Sequence, residues 1–135
     1  SNVFEIVWDI PLKIVVVEDS NLARKAIIDT LEQEGFEIVG EAPSAEKAMV
    51  LLQSSGCNCL IIDIVMPEIS GIELAQALSE LKNKMTIIMM SSLKQEDIII
   101  ESIAVGAIDF LQKPFEKETL IKSVKKAEQD LELRS

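Results

Sequence analysis

Five side chains carry the chemistry that this chain can offer: Glu18, Asp19, Asp63, Ser91 and Lys113. Asp63 interrupts the apolar runs Leu60-Ile61-Ile62 and Ile64-Val65-Met66, where an isolated carboxylate would be heavily penalised by desolvation. A structural salt bridge is the plain explanation for it, and a functional role is the sharper one. Glu18 and Asp19 precede Ser20, so they either favour the positive end of a following helix or serve as ligands. Brought together, three carboxylates repel and raise one another's pKa unless a cation lies among them. Mg²⁺ suits such a set, being a hard cation content with a few carboxylates, waters and a phosphate. Lys113 would add the fixed positive charge that a phosphorylated carboxylate needs, although a lone lysine is more often a solvated one. Ser91, by itself a turn-forming hydroxyl, gains weight from its expected placement opposite Asp63.

The elements that would position these groups are legible in the hydrophobic pattern. Short apolar runs over Lys13–Val17, Glu37–Gly40, Leu60–Ile62, Thr86–Met90 and Ile108–Leu111 read as strands. Helical spacing fills the intervals: Ala23, Ile27 and Leu31; Ala45, Ala48, Met49 and Leu52; Leu74, Leu78 and Leu81; Ile99 and Ile103; Leu120, Val124, Ala127 and Leu131. Ser20, Ser44 and Ser70 stand as helix N-caps, and Gly35 and Gly106 stand where helices end. Strand and helix thus alternate five times, and the uniformly apolar strands predict a parallel sheet covered on both faces, a doubly wound α/β fold. Ligands of such sheets bind at the carboxyl ends of the strands, and there the five polar residues stand: Glu18-Asp19 after the first strand, Asp63 at the third, Ser91 at the fourth, and Lys113-Pro114 after the fifth.

The whole-chain properties narrow the function. A chain of 135 residues with 48% hydrophobic and 27% charged residues predicts one folded domain. Residues 1–11 fit no element and read as a short N-terminal extension or an extra strand, with Ser1-Asn2 suggesting a processed or expression-derived end, and residues 12–135 as the domain. A net charge of −10 opposes direct nucleic-acid binding and leaves proteins and cations as partners. No apolar run is long enough for a membrane span, so a soluble, cytoplasmic protein is expected. Cys57 and Cys59 are spaced for neither an ordinary disulfide framework nor a zinc site and read as reduced structural thiols. The chain has no histidine, which removes His-based triads, His metal sites and phosphohistidine at once.

The segments VVVEDSNLARK, IIDIVMPEISG, IIMMSSL and GAIDFLQKPF resemble the four signature segments of response regulator receiver domains, in the right order, over about Pro11 to Leu133. The resemblance implies a flavodoxin-like sheet of order 2-1-3-4-5 and a phosphoacceptor role for Asp63. Mg²⁺ would be held by Glu18, Asp19, Asp63 and the Val65 carbonyl. It further implies that Ser91 binds the phosphoryl oxygen, that Lys113 pairs with it, that Phe110 moves with Ser91, and that Pro114 follows Lys113 through a cis peptide. The donor would be a histidine kinase or phosphotransfer protein. Such a protein is a switch and no enzyme beyond its own phosphorylation and dephosphorylation. Val65 and Leu93, two residues after Asp63 and Ser91, occupy the positions that tune hydrolysis, and their apolar side chains predict slow loss of the phosphoryl group.

Ile98, Ile99 and Ile100 cannot all lie on one buried stripe, so part of the Gln95 to Val105 helix is expected to meet a downstream protein or a homodimer mate. Three other readings compete. An aspartate-nucleophile phosphatase of the haloacid dehalogenase type wants a second Asp where Val65 stands. A flavodoxin-like electron carrier would need a phosphate-binding loop where Glu18-Asp19 would repel the phosphate. A receiver-like interaction module that is never phosphorylated would retain the same residues. The chemotaxis flavour of VVVEDSNLARK and IIMMSSL points toward chemotaxis regulators.

Overall fold

The computed structural model describes residues 10–80 and 85–133. Residues 1–9 of the segment 1–11 expected as an extension, and Leu81 of the expected third helix, lie outside the described residues. Five strands and five helices alternate: β1 (Lys13–Val17), α1 (Asn21–Gln33), β2 (Glu37–Ala42), α2 (Ala45–Leu52), β3 (Cys59–Asp63), α3 (Gly71–Glu80), β4 (Thr86–Ser91), α4 (Glu96–Ala104), β5 (Ala107–Gln112) and α5 (Lys117–Leu133). All strand pairs are parallel, and the order is β2-β1-β3-β4-β5. This is the doubly wound arrangement that the pattern predicts.

Alternation along each strand sends successive side chains to opposite faces. Ile14, Val16, Ile61, Ile88 and Met90 pack with Ile27 and Leu31 of α1 and with Leu120, Val124 and Ala127 of α5. Val15, Val17, Leu60, Ile62 and Met89 pack on the other face with Ala45 and Ala48 of α2 and with Leu74 and Leu78 of α3. β1, β3 and β4 are interior strands and are buried almost throughout, whereas β2 and β5 form the edges and are half-exposed. The expectation of uniform burial therefore holds for three strands and fails at the edges, where a flank is open.

The predicted caps form. The Ser20, Ser44 and Ser70 hydroxyls accept hydrogen bonds from the N–H groups of Ala23, Lys47 and Glu73 at 3.2, 3.2 and 3.1 Å. Gly35 and Gly106 have φ of +87° and +97° immediately after α1 and α4, a left-handed turn that glycine adopts without steric cost. The expected inward stripe of α4 is corrected. Ile103 is 63% exposed, and the side that meets the sheet is instead Ile98, Ser102 and Val105. Apolar side chains on both sides of α4 hide its phase, and the buried Ser102 hydroxyl is satisfied by the Ile98 carbonyl at 2.9 Å.

Candidate phosphoacceptor and metal site

The sheet brings the predicted residues to the carboxyl ends of its three central strands. Glu18 follows β1, its N–H donating to the Ala42 carbonyl of β2 at 3.0 Å, and Asp63 is the last residue of β3. Glu18 is 1% and Asp63 5% exposed, so two carboxylates are buried at adjacent strand ends. Carboxylate oxygens of Glu18, Asp19 and Asp63 lie within 4.8 Å of one another. Lys113 reaches across from the end of β5, and its Nζ donates to Glu18 Oε1 and, at 2.6 Å, to Asp63 Oδ2. The remaining oxygens are held by backbone: Glu18 Oε2 accepts from the Ser20 N–H and Asp63 Oδ1 from the Val65 N–H, both at 3.0 Å.

These contacts set the protonation energetics. Burial pushes Glu18 upward, but hydrogen bonds from Lys113 and the Ser20 N–H outweigh it and hold the carboxyl below its ordinary value. For Asp63 burial wins over the Lys113 hydrogen bond and charge, and the neighbouring Glu18 charge adds to it, so its pKa is raised. Asp19 is raised chiefly by sharing a hydrogen bond with Glu18. Burial lowers Lys113, yet its two carboxylate partners more than compensate, and the ammonium is stabilised.

Ser91 is fully buried at the end of β4, and its carbonyl accepts from the Lys113 N–H at 2.8 Å. Its hydroxyl accepts from the Leu93 N–H at 3.0 Å. The register sets Asp63 opposite Met90, so Ser91 stands one residue beyond the position facing Asp63. The Lys113-Pro114 peptide is cis. Phe110 is half-buried and packs against the core face that contains Met89 and Leu60. Val65 and Leu93 are 52% and 36% exposed at the rim of the site. The cysteines are free thiols, with Cys59 buried and the half-buried Cys57 pushed up to about 11 by burial, so both are far from thiolate chemistry at neutral pH.

Two residues that the motif reading did not single out belong to this site's frame. A Cβ on Gly71, at the start of α3, would lie 2.3 Å from the Asp63 carbonyl oxygen, so glycine is required for the β3–α3 loop to close beneath Asp63. Arg24 reaches back from α1 to the Glu18 carbonyl. Its sequence signal is a cation in the first turn of a helix, the end where positive charge is disfavoured.

Three carboxylates against one ammonium leave an excess of negative charge in a set of hard oxygen donors. The residues fit Mg²⁺ in donor type and in charge.

The sequence profile of the response regulator receiver domain matches residues 14–125. The chain belongs to the response regulator receiver domain family. Among its relatives, the chemotaxis protein CheY of Bacillus subtilis (strain 168) is 32% identical over 114 residues, covering 84% of this chain and 95% of the relative. The receiver fold is shared with a CheY-like receiver domain protein from Methanospirillum hungatei JF-1, at a TM-score of 0.86 and 23% identity over 93% of this chain and 100% of the other. A CheX–CheY–BeF₃–Mg²⁺ complex from Borrelia burgdorferi contains a chain with a TM-score of 0.81 and 26% identity, over 87% of this chain and 89% of that one. Receiver domains are signalling modules, and this one carries an acidic cluster of Glu18, Asp19 and Asp63 at its strand ends. Among the described residues no helix is long and apolar enough to cross a membrane.

Proposed function

We propose that this receiver domain accepts a phosphoryl group on Asp63 from the phosphohistidine of a histidine kinase or phosphotransfer protein, and thereby switches its protein contacts. The carrying observation is the convergence of Glu18, Asp19 and Asp63 with Lys113 bridging two of them. In the transfer, an Asp63 carboxylate oxygen forms a bond to phosphorus as the phosphorus–nitrogen bond of the donor breaks. The imidazole leaves with that electron pair and is protonated. Mg²⁺, held by Glu18, Asp19, Asp63 and the Val65 carbonyl, would supply charge neutralisation to the phosphoryl oxygens. Lys113 supplies the second positive charge, already placed against Asp63 Oδ2. The buried Ser91 hydroxyl is released from the Leu93 N–H to bind a phosphoryl oxygen, and Phe110, packed on the same face of the sheet, moves with it.

Two surfaces support partner roles. Beside Lys113 a groove of about 440 Å³ is lined largely by apolar groups of Ala23, Ala26, Ile27, Pro114 and Phe115, suited to seating a helix of the donor. On α4, Ile100 and Ile103 are 59% and 63% exposed and offer an apolar contact to a downstream protein or a second copy of this chain. The relation to chemotaxis regulators supports a role in that kind of pathway.

The decisive experiment is intact mass after incubation with acetyl phosphate and Mg²⁺, comparing the parent with Asp63→Asn. One added phosphoryl group that requires both Mg²⁺ and Asp63 is the expected outcome. With Mg²⁺ binding confirmed and rapid turnover excluded, no adduct would replace this reading with that of an unphosphorylated interaction module.

A further inference from the structure

Arg24 is the fourth residue of α1, in the first turn of the helix, a turn that contains no acidic residue. A cation there faces the positive end of the helix dipole, so local helix energetics do not account for it. Its guanidinium instead makes three separate hydrogen bonds. Nη1 donates to the Glu18 carbonyl at 2.7 Å, Nη2 to Asn21 Oδ1 at 2.6 Å, and Nε to Glu41 Oε1 on β2 at 2.8 Å. The Arg24 side chain is 11% exposed while that of Glu41 is 55% exposed. An ion pair so open on one side contributes little to stability by itself. What the three bonds accomplish together is geometric: α1, the β1–α1 loop and the edge strand β2 are pinned at one point.

That point is the peptide joining Glu18 to Asp19. The peptide is planar, so fixing the carbonyl oxygen fixes the Asp19 N–H and the plane between the two Cα atoms. The directions in which the Glu18 and Asp19 side chains leave the backbone are thereby constrained together. Glu18 has further anchors in Lys113 and the Ser20 N–H, whereas Asp19 is exposed and has only the proximity of its carboxylate, within 4.8 Å of those of Glu18 and Asp63, to relate it to the site. Asp19 is therefore the carboxylate whose placement depends most on the loop backbone.

We infer that Arg24 is a positioning residue for the metal site: through the Glu18 carbonyl it holds the Glu18-Asp19 pair in register with Asp63. This inference rests on the Mg²⁺ reading given above. Its sign separates it from simple electrostatics. Arg24 is a positive charge close to a cation site, so a purely electrostatic role makes its removal strengthen Mg²⁺ binding, whereas a positioning role makes removal weaken it. Lysine at this position keeps the charge but cannot reproduce a planar fork serving three acceptors in different directions.

The test is titration of the full chain with MgCl₂, followed by backbone amide chemical shifts, which report affinity and the integrity of the sheet in the same spectra. Arg24→Lys and Arg24→Gln are expected to raise the Mg²⁺ Kd about tenfold, as removal of outer-shell partners of metal ligands does. Lys25→Gln, which removes an adjacent exposed charge, is expected to stay within about twofold of the parent, as surface charges remote from the ligands are screened. Asn21→Ala removes one acceptor without changing any charge; it keeps the test open if the Arg24 variants lose the fold, and is expected to weaken binding at least about twofold. Unchanged Mg²⁺ affinity in the folded variants, or tighter binding by Arg24→Gln, overturns the inference and leaves the metal site standing. A parent that shows no Mg²⁺-dependent shifts at Glu18, Asp19 and Asp63 overturns the metal reading and this inference together.

Discussion

Lys113 satisfies both buried carboxylates with one ammonium, and the opposed pKa directions of Glu18 and Asp63 record how incompletely one charge can serve two. The consequence for stability follows from the signs. Glu18, held low, contributes stability above the ordinary carboxylate range, and that contribution is lost as pH falls through its folded value. Asp63 and Asp19, held high, impose a penalty at neutral pH that disappears as pH falls through their raised values. In the presence of EDTA, the melting temperature is therefore expected to rise as pH is lowered from 7, then to fall as Glu18 protonates. Asp63→Asn should flatten the rising limb, and thermal melts of both proteins across pH 7 to 3 check it. A second prediction concerns the rim. Val65 and Leu93 are exposed and apolar, so neither side chain can orient an attacking water. Val65→Asn is expected to speed loss of the phosphoryl group on the order of tenfold, less than the roughly 100-fold of a full general base, because an amide only orients water. The decay of the phosphorylated mass over time measures it.

The elements hold these residues through their ends. β1 ends just before Glu18, and β3 and β4 end on Asp63 and Ser91; parallel pairing aligns them, so residues far apart in sequence finish near one level of the sheet. The loop from β3 into α3 must then pass directly under Asp63. The Gly71 N–H donates to the Ile64 carbonyl at 2.9 Å, and its missing side chain leaves room for the Asp63 carbonyl. Gly71→Ala would place a methyl 2.3 Å from that oxygen and 2.8 Å from Ile62 Cγ2. We expect a loss of about 1–3 kcal/mol, the range for overpacking a tight site, with slower phosphorylation because Asp63 must shift. Urea unfolding and initial rates with acetyl phosphate read the two effects. A stable variant phosphorylated at the parental rate would show that the loop relaxes elsewhere.

At the scale of the whole molecule, the sheet separates chemistry from contact: the carboxylates lie at strand ends, while the exposed isoleucines of α4 lie along a helix packed beside β5. Ile98 packs into the core, whereas the exposed Ile100 and Ile103 can serve a partner without cost to folding. Ile100→Lys is expected to change stability by no more than about 0.5 kcal/mol, as surface substitutions usually do. It should also weaken binding of the downstream protein, or dissociate a dimer of this chain. Thermal melts with sedimentation velocity and partner pull-down separate those outcomes, and intact self-association together with intact partner binding would remove α4 from the interface. The net charge of −10 is consistent with signalling through proteins and cations rather than nucleic acid.

The sequence by itself determined the alternation of strands and helices, because apolar periodicity and the Ser and Gly caps depend on local geometry that any chain must obey. It also determined the identities of Glu18, Asp19, Asp63 and Lys113 as candidates, since polar residues ending apolar runs are costly without a purpose. The phase of α4 was hidden, because isoleucines occur on both of its sides and only packing against β5 selects Ile98, Ser102 and Val105 as the inner face. The sharing of Lys113 between two carboxylates, the need for glycine at residue 71 and the reach of Arg24 to the Glu18 carbonyl were decided by tertiary structure alone. Each is a contact between groups whose separation is set by how the strands stack and where the loops cross. A linear pattern holds the residue types but not those distances.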